Sequence, residues 1–143
     1  MPIELSETIR PLFLAAGWPR ANSRPLPDFV PADHPAAALL REFDGLHVLS
    51  SGAGEDFARG DIAFGTDLNL ADDVDFFAWQ QRLSTTLIGI AETRLGYGTL
   101  LIDSEGACYH MNCISDAFTL IDTSFSVAVE NILLGRRGNE KHL

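Results

Sequence analysis

Apolar positions along the chain fall into short blocks with two different periods. Leu5, Ile9, Leu12, Phe13 and Ala16 recur at helical spacing and predict a first helix over 5–16. Ser6 is placed to cap it, and Glu7 stands in the first turn, where a carboxylate suits the helix dipole. Pro11 lies too deep for a first turn, so the pattern predicts a kink or a later start. Gly17 stops the helix and Trp18 packs back on its end. A Pro-rich connector over 20–31 has room for one short strand near Phe29-Val30. Asp33 then caps a second helix with Pro35 in its first turn, where a missing N–H costs little. Ala36, Leu39, Leu40 and Phe43 form its buried stripe, and Asp44-Gly45 ends it.

Shorter runs follow. Strands are predicted at 46–49 and 61–64, with a Gly/Ser/acidic loop at 50–60 between them. Asp72 or Asp73 caps a third helix carrying Phe76, Phe77, Trp79, Gln80 and Leu83. From Leu87 to Asp122 the chain reads as a meander with strands at 87–91, 98–103, 107–111 and 117–121. Asp103 and Gly106 bracket a turn of type I that ends on a left-handed residue. Leu100, Leu101 and Ile102 are apolar in succession, which predicts a strand covered on both faces. Thr123 or Ser124 caps a last helix with Phe125, Val127, Val129, Ile132 and Leu133, and Gly135 stops it. The polar tail from about 136 to 143 is predicted to fray. Segregated strands and helices of this order predict one α+β domain over 1–143, with helices packed on a mainly antiparallel sheet.

Composition narrows the function. The chain has 143 residues, 46% apolar and 21% charged, which fits one globular domain with its own core. No apolar run approaches the roughly 20 residues of a membrane helix, and the start lacks the basic-then-apolar order of a signal peptide. Two cysteines do not make a disulfide scaffold, so a reducing cytoplasm is the expected compartment. A net charge of −10 argues against unaided nucleic-acid binding and suits a basic protein partner. It equally serves solubility.

Candidate chemistry is sparse. Cys108, His110 and Cys113 form a Cys-x-His-x-x-Cys cluster with Cys108 and His110 on one strand face. No fourth ligand lies nearby, so the alternative is two buried cysteines and a strand histidine, with no metal. The Ser50-Ser51-Gly52-Ala53-Gly54 loop lacks the Lys-Ser/Thr of a phosphate cradle, and no nucleophile elbow is present; no cofactor is called for. The acidic distribution carries more. Glu42, Asp44, Glu55, Asp56, Asp61, Asp67, Asp72, Asp73 and Asp75 are opposed in that stretch by Arg59 alone. The segment reads either as a solvated face with helix caps or as a docking surface that speeds association with a basic partner.

Several motifs in order resemble the SUKH superfamily, specifically its third immunity-protein group. They are Leu14-Ala-Ala-Gly-Trp18 with Arg20 after it, and Ala38-Leu-Leu-Arg-Glu-Phe-Asp-Gly-Leu46. Leu87-Ile-Gly-Ile-Ala-Glu92, Leu100-Leu-Ile-Asp-Ser-Glu-Gly-Ala-Cys-Tyr109 and Ala128-x5-Leu134-Gly135 complete the series. The resemblance spans residues 8 to 135, with Asp44 standing where the family usually has a second Gly. It implies an α+β fold with a central twisted sheet, flanked by N-terminal helices, a middle helix and a C-terminal helix. It implies a non-enzymatic, cytoplasmic immunity protein that binds and neutralises a cognate polymorphic toxin, often a nuclease. The family brings no catalytic residues, and Gly17, Trp18, Phe43, Leu46 and Gly106 read as structural. Glu55, Asp56, Asp61, Asp67, Asp72, Asp73 and Asp75 are then the expected partner-binding residues. The alternatives are an interaction module of a regulatory complex and a small enzyme using Cys108, His110 or Cys113. The oligomeric state is left open.

Overall fold

The computed structural model describes residues 3–19, 25–66, 74–112, 114–115 and 117–143. Its elements in chain order are α1 (Arg10–Ala15), α2 (Pro35–Phe43), β1 (His47–Val48), β2 (Ile62–Phe64), α3 (Val74–Leu83), β3 (Ile88–Thr93), β4 (Gly98–Ile102), β5 (Cys108–Asn112), β6 (Phe118–Asp122), α4 (Phe125–Leu134) and β7 (Lys141–His142). The strands pair in sequence order, each antiparallel to the next, into one open seven-stranded sheet. The class is α+β, as the order of elements predicts.

The pleat divides the core in two. Leu100, Ile102, Cys108 and Ile121 point to one face, where they meet Phe13, α2 and the buried side of α4. Leu101, Tyr109, Met111 and Phe118 point to the other, under Phe76, Trp79 and Leu83 of α3. The run Leu100-Leu101-Ile102 is therefore buried on both sides, as the sequence requires. Aromatic rings fill the larger half. Phe43 lies 5.2 Å from Phe13, 5.1 Å from Phe64 and 6.0 Å from Phe125, centroid to centroid. Trp18 meets Phe13 edge-on at 6.3 Å, and its indole N–H donates to Glu42 at 2.8 Å. On the smaller side Trp79 stacks on Phe118 at 4.3 Å.

The meander turn is built by Asp103. Its backbone C=O accepts from Gly106 N–H at 3.1 Å, and its carboxylate accepts from the N–H groups of Glu105 and Ala107, both at 2.9 Å. The second carboxylate oxygen accepts from the Tyr109 hydroxyl at 2.9 Å. Burial, reinforced by this bond, pushes the Tyr109 hydroxyl well above its usual range and keeps it a donor.

Local expectations depart from the structure at several ends. Pro11 delays α1 to Arg10, and Ile9 stands at the cap; the Ser6 hydroxyl donates instead to Glu130 at 2.6 Å. His34, not Asp33, caps α2. Its Nδ1 accepts from Ala36 N–H at 3.0 Å while Nε2–H donates to Thr86 C=O at 2.8 Å, which ties the helix start to the chain entering β3. Phe29-Val30 forms a turn, not a strand. The tail does not fray. Lys141 and His142 pair with Leu120 and Thr119, and Leu143 N–H donates to Phe118 C=O at 2.9 Å. Polar tail residues suit this position because an edge strand exposes one side to water. The Asp72 or Asp73 cap lies outside the described residues.

Asp103→Ala is expected to lower unfolding free energy by about 3 kcal/mol, since three donors lose a buried acceptor, whereas Tyr109→Phe should cost only about 1 kcal/mol. Equilibrium urea denaturation checks both. Equal losses would mean that strand pairing, not the carboxylate, sets the turn.

Candidate functional site

The 50–60 loop closes on the C-terminal end of α4. A helix leaves its last carbonyls unsatisfied, and here the 50–60 loop supplies the donors. Gly60 N–H donates to Ile132 C=O at 3.0 Å, Ser50 Oγ and Arg59 Nε donate to Leu133 C=O at 2.5 and 2.9 Å, and Glu55 N–H donates to Leu134 C=O at 3.2 Å. Asp56 and Phe57 N–H groups both donate to Gly135 C=O, at 2.8 and 3.1 Å. In return the Asp56 carboxylate accepts from Arg137 N–H at 2.7 Å, and Glu55 pairs with Arg136. The two chains approach so closely that Gly54 and Gly135 leave no space for a side chain. A Cβ on Gly54 would stand 2.6 Å from Leu134 C=O, and one on Gly135 would stand 3.0 Å from Gly54 Cα.

The acidic stretch is thus distributed, not gathered. Glu55 and Asp56 are exposed on the loop that closes α4. Asp61 is buried and bonded to His47 at 2.5 Å, so its carboxylate already has a partner, and it lines the groove described below. A buried carboxylate needs such a partner. Asp75 is exposed in the first turn of α3, on the opposite face of the sheet from α4. Asp67, Asp72 and Asp73 lie outside the described residues. Gly17, Trp18, Phe43, Leu46 and Gly106 occupy structural places: Phe43 and Leu46 are buried in the larger core, Gly17 follows α1, Trp18 packs on that core, and Gly106 closes the turn.

Beside Glu55 and Asp56 the surface carries a groove of about 600 Å3, lined by Leu49, Phe57, Ala58, Arg59, Arg94 and Tyr97 among others. Leu49 is 66% and Tyr97 57% exposed. Neither belongs to the acidic stretch or to the Cys/His cluster that the sequence singles out. The alternation in Leu46-His47-Val48-Leu49 was the available signal, since burying Leu46 and Val48 turns Leu49 outward. Tyr97 carried no such pattern, because it sits between Gly96 and Gly98 after the short helical turn Arg94–Gly96.

The Cys/His cluster separates. Cys108 is fully buried, its thiol donates to Gly106 C=O at 3.7 Å, and burial pushes its pKa far up, so it is no reactive thiolate. Cys113 lies outside the described residues, and among the described residues no group of side chains is arranged to hold a metal. His110 shares the sheet face of Cys108, as expected, but it lines a cavity instead of packing into the core. Its Nε2 shares a hydrogen bond of 2.7 Å with Thr93 Oγ1. Gly98, directly beneath, has no side chain, and a Cβ there would overlap the imidazole and stand 2.7 Å from Thr93 Oγ1. Burial, with the positive charge of Arg94 adding to it, lowers the His110 pKa from its ordinary 6.5 to about 4. His110 is therefore neutral near pH 7.

In comparison with known proteins, no family model, no curated protein and no solved structure matches the chain.

Because the folded state resists protonating His110 while the unfolded chain accepts a proton near pH 6.5, the His110 contribution falls as pH drops from about 6.5 to about 4 and changes no further below that. The loss is at most about 3 kcal/mol. An NMR titration should place the His110 ring midpoint near 4, and His110→Gln should flatten the stability profile across that window; a midpoint near 6.5 would refute the neutral, enclosed ring.

Proposed function

We propose that this chain is a cytoplasmic immunity protein of the SUKH type, which binds a cognate toxin domain and neutralises it without catalysis. The observation that carries the reading is the groove flanked by exposed Leu49 and Tyr97 beside the acidic Glu55-Asp56 loop. Exposed apolar and aromatic side chains inside a polar rim are the usual anchors of a protein interface. The net charge of −10 selects a basic partner. A nuclease presents such a surface because it must hold phosphates. The motif order described above supports the same class. No helix is long and apolar enough to cross a membrane among the described residues, which is compatible with the proposed compartment.

On this reading the docking surface is the α4 side of the sheet. Glu55 and Asp56, which stay exposed while bonded to Arg136 and to Arg137 N–H, would meet the partner's basic side chains at the rim, while Leu49 and Tyr97 bury at the centre. Asp75, on the far face, is then a solvated helix-start carboxylate.

Co-purification of this chain with the product of the adjacent gene is the first test. A toxin gene next to this one, and recovery of a complex, are the expected outcomes; a regulatory interaction module predicts neither. Within such a complex, Leu49→Ala with Tyr97→Ala should weaken binding about a hundredfold, and Asp75→Lys should leave it unchanged. Association should slow steeply with added salt. Unchanged affinity in the double variant would remove the groove from the interface, and a strong effect of Asp75→Lys would move the interface to α3.

A further inference from the structure

The docking groove carries a local charge opposite in sign to that of the whole chain. Arg59 and Arg94 both line it, and neither forms an ion pair among the described residues. The acid in the lining, Asp61, is buried and bonded to His47. Glu55 and Asp56 stand beside the groove and are already engaged, with Arg136 and with Arg137 N–H. The lining therefore keeps a positive balance inside a chain whose net charge is −10.

Both guanidinium groups are held in place. Arg59 Nε donates to Leu133 C=O at 2.9 Å. Arg94 N–H donates to Asp61 C=O at 3.2 Å, which ties the backbone of that residue to the start of β2. The Arg94 stem passes Gly60, where a Cβ would stand 3.0 Å from Arg94 Cγ, and its guanidinium lies 5.2 Å from the Phe57 ring centroid. A planar fork ordered in advance loses less freedom when it meets a carboxylate.

In the free chain water solvates both arginines. A segment that covers Leu49, Phe57 and Tyr97 displaces part of that water. Covered cations then need opposite charge, because a desolvated charge without a partner is costly. A base brought to the same place would add repulsion to that cost. Net charge acts at a distance, during approach, whereas contact pairs set the docked register. An acid at the groove is thus compatible with a partner that is basic as a whole.

We propose that the segment entering this groove is locally acidic: an apolar side chain that packs on Leu49, Phe57 and Tyr97, flanked by carboxylates that meet Arg59 and Arg94. This rests on the reading of the groove as the docking surface and adds the chemistry of the segment it takes.

The test uses the isolated full chain and two capped octapeptides that share a Phe-Leu core and differ in whether two aspartates or two lysines flank it. Nitrogen–proton correlation NMR follows the Leu49, Gly60 and Tyr97 amides. The aspartate peptide is expected to shift them saturably, with a dissociation constant of about 1 mM or tighter. It should bind at least about threefold more tightly than the lysine peptide, as two exposed ion pairs allow. The net charge alone demands the opposite order. Arg59→Gln with Arg94→Gln should erase or reverse the preference, and Arg59→Lys with Arg94→Lys should keep its direction. If the glutamine variant does not fold, the Arg94 Nε–H signal of the native chain decides, since it should shift with the aspartate peptide and not with the lysine one. No saturable shift, equal affinities, a preference for the lysine peptide, or a preference untouched by the glutamine variant would overturn the proposal. Recovery of a complex with the adjacent gene's product tests the toxin reading separately: a complex without the aspartate preference overturns this inference alone, and the preference without a complex overturns only the toxin reading.

Discussion

The closure of α4 by the 50–60 loop is the constraint on which the functional side of this molecule depends. The carbonyls from Ile132 to Gly135 must find donors, and the loop provides them from both backbone and side chains. That demand fixes where the loop lies. The loop in turn carries Phe57 to the boundary between two adjoining pockets, where Arg94 meets it. Glu55 and Asp56 are exposed beside the groove because their backbones are spent on the helix end.

The sheet does a different job. Its central strand, buried on both faces, holds two unequal cores apart. The larger one seals α1, α2 and most of α4 with aromatic contacts. Where that core runs out, beyond Leu100 and Ile121, the same sheet face turns polar through Thr93, His110 and Thr119. The transition is what opens a cavity: polar side chains on a covered face need partners, and they cannot be packed like leucines. His110 stays neutral there because a charged imidazole would lose its water for too little return.

The fold was legible in the chain because period and punctuation agreed. Leu100-Leu101-Ile102 could be nothing but a doubly covered strand, and the Asp103–Gly106 turn fixed how its neighbour returns. The misplacements share one cause. Ser6, Asp33 and the tail show only local chemistry in the sequence, whereas distant partners decide their places. Glu130 takes the Ser6 hydroxyl, Thr86 recruits His34 into the cap, and β6 offers the tail an open edge.

The candidate site divides along the same line. By itself the sequence determined the element order, the two-sided central strand, the acidic balance and the lack of a complete metal or nucleophile motif, since these follow from residue type and spacing. Only the tertiary structure decided which acids remain available. Asp61 is paired with His47 at the groove, and Asp75 lies on the opposite face from Glu55 and Asp56.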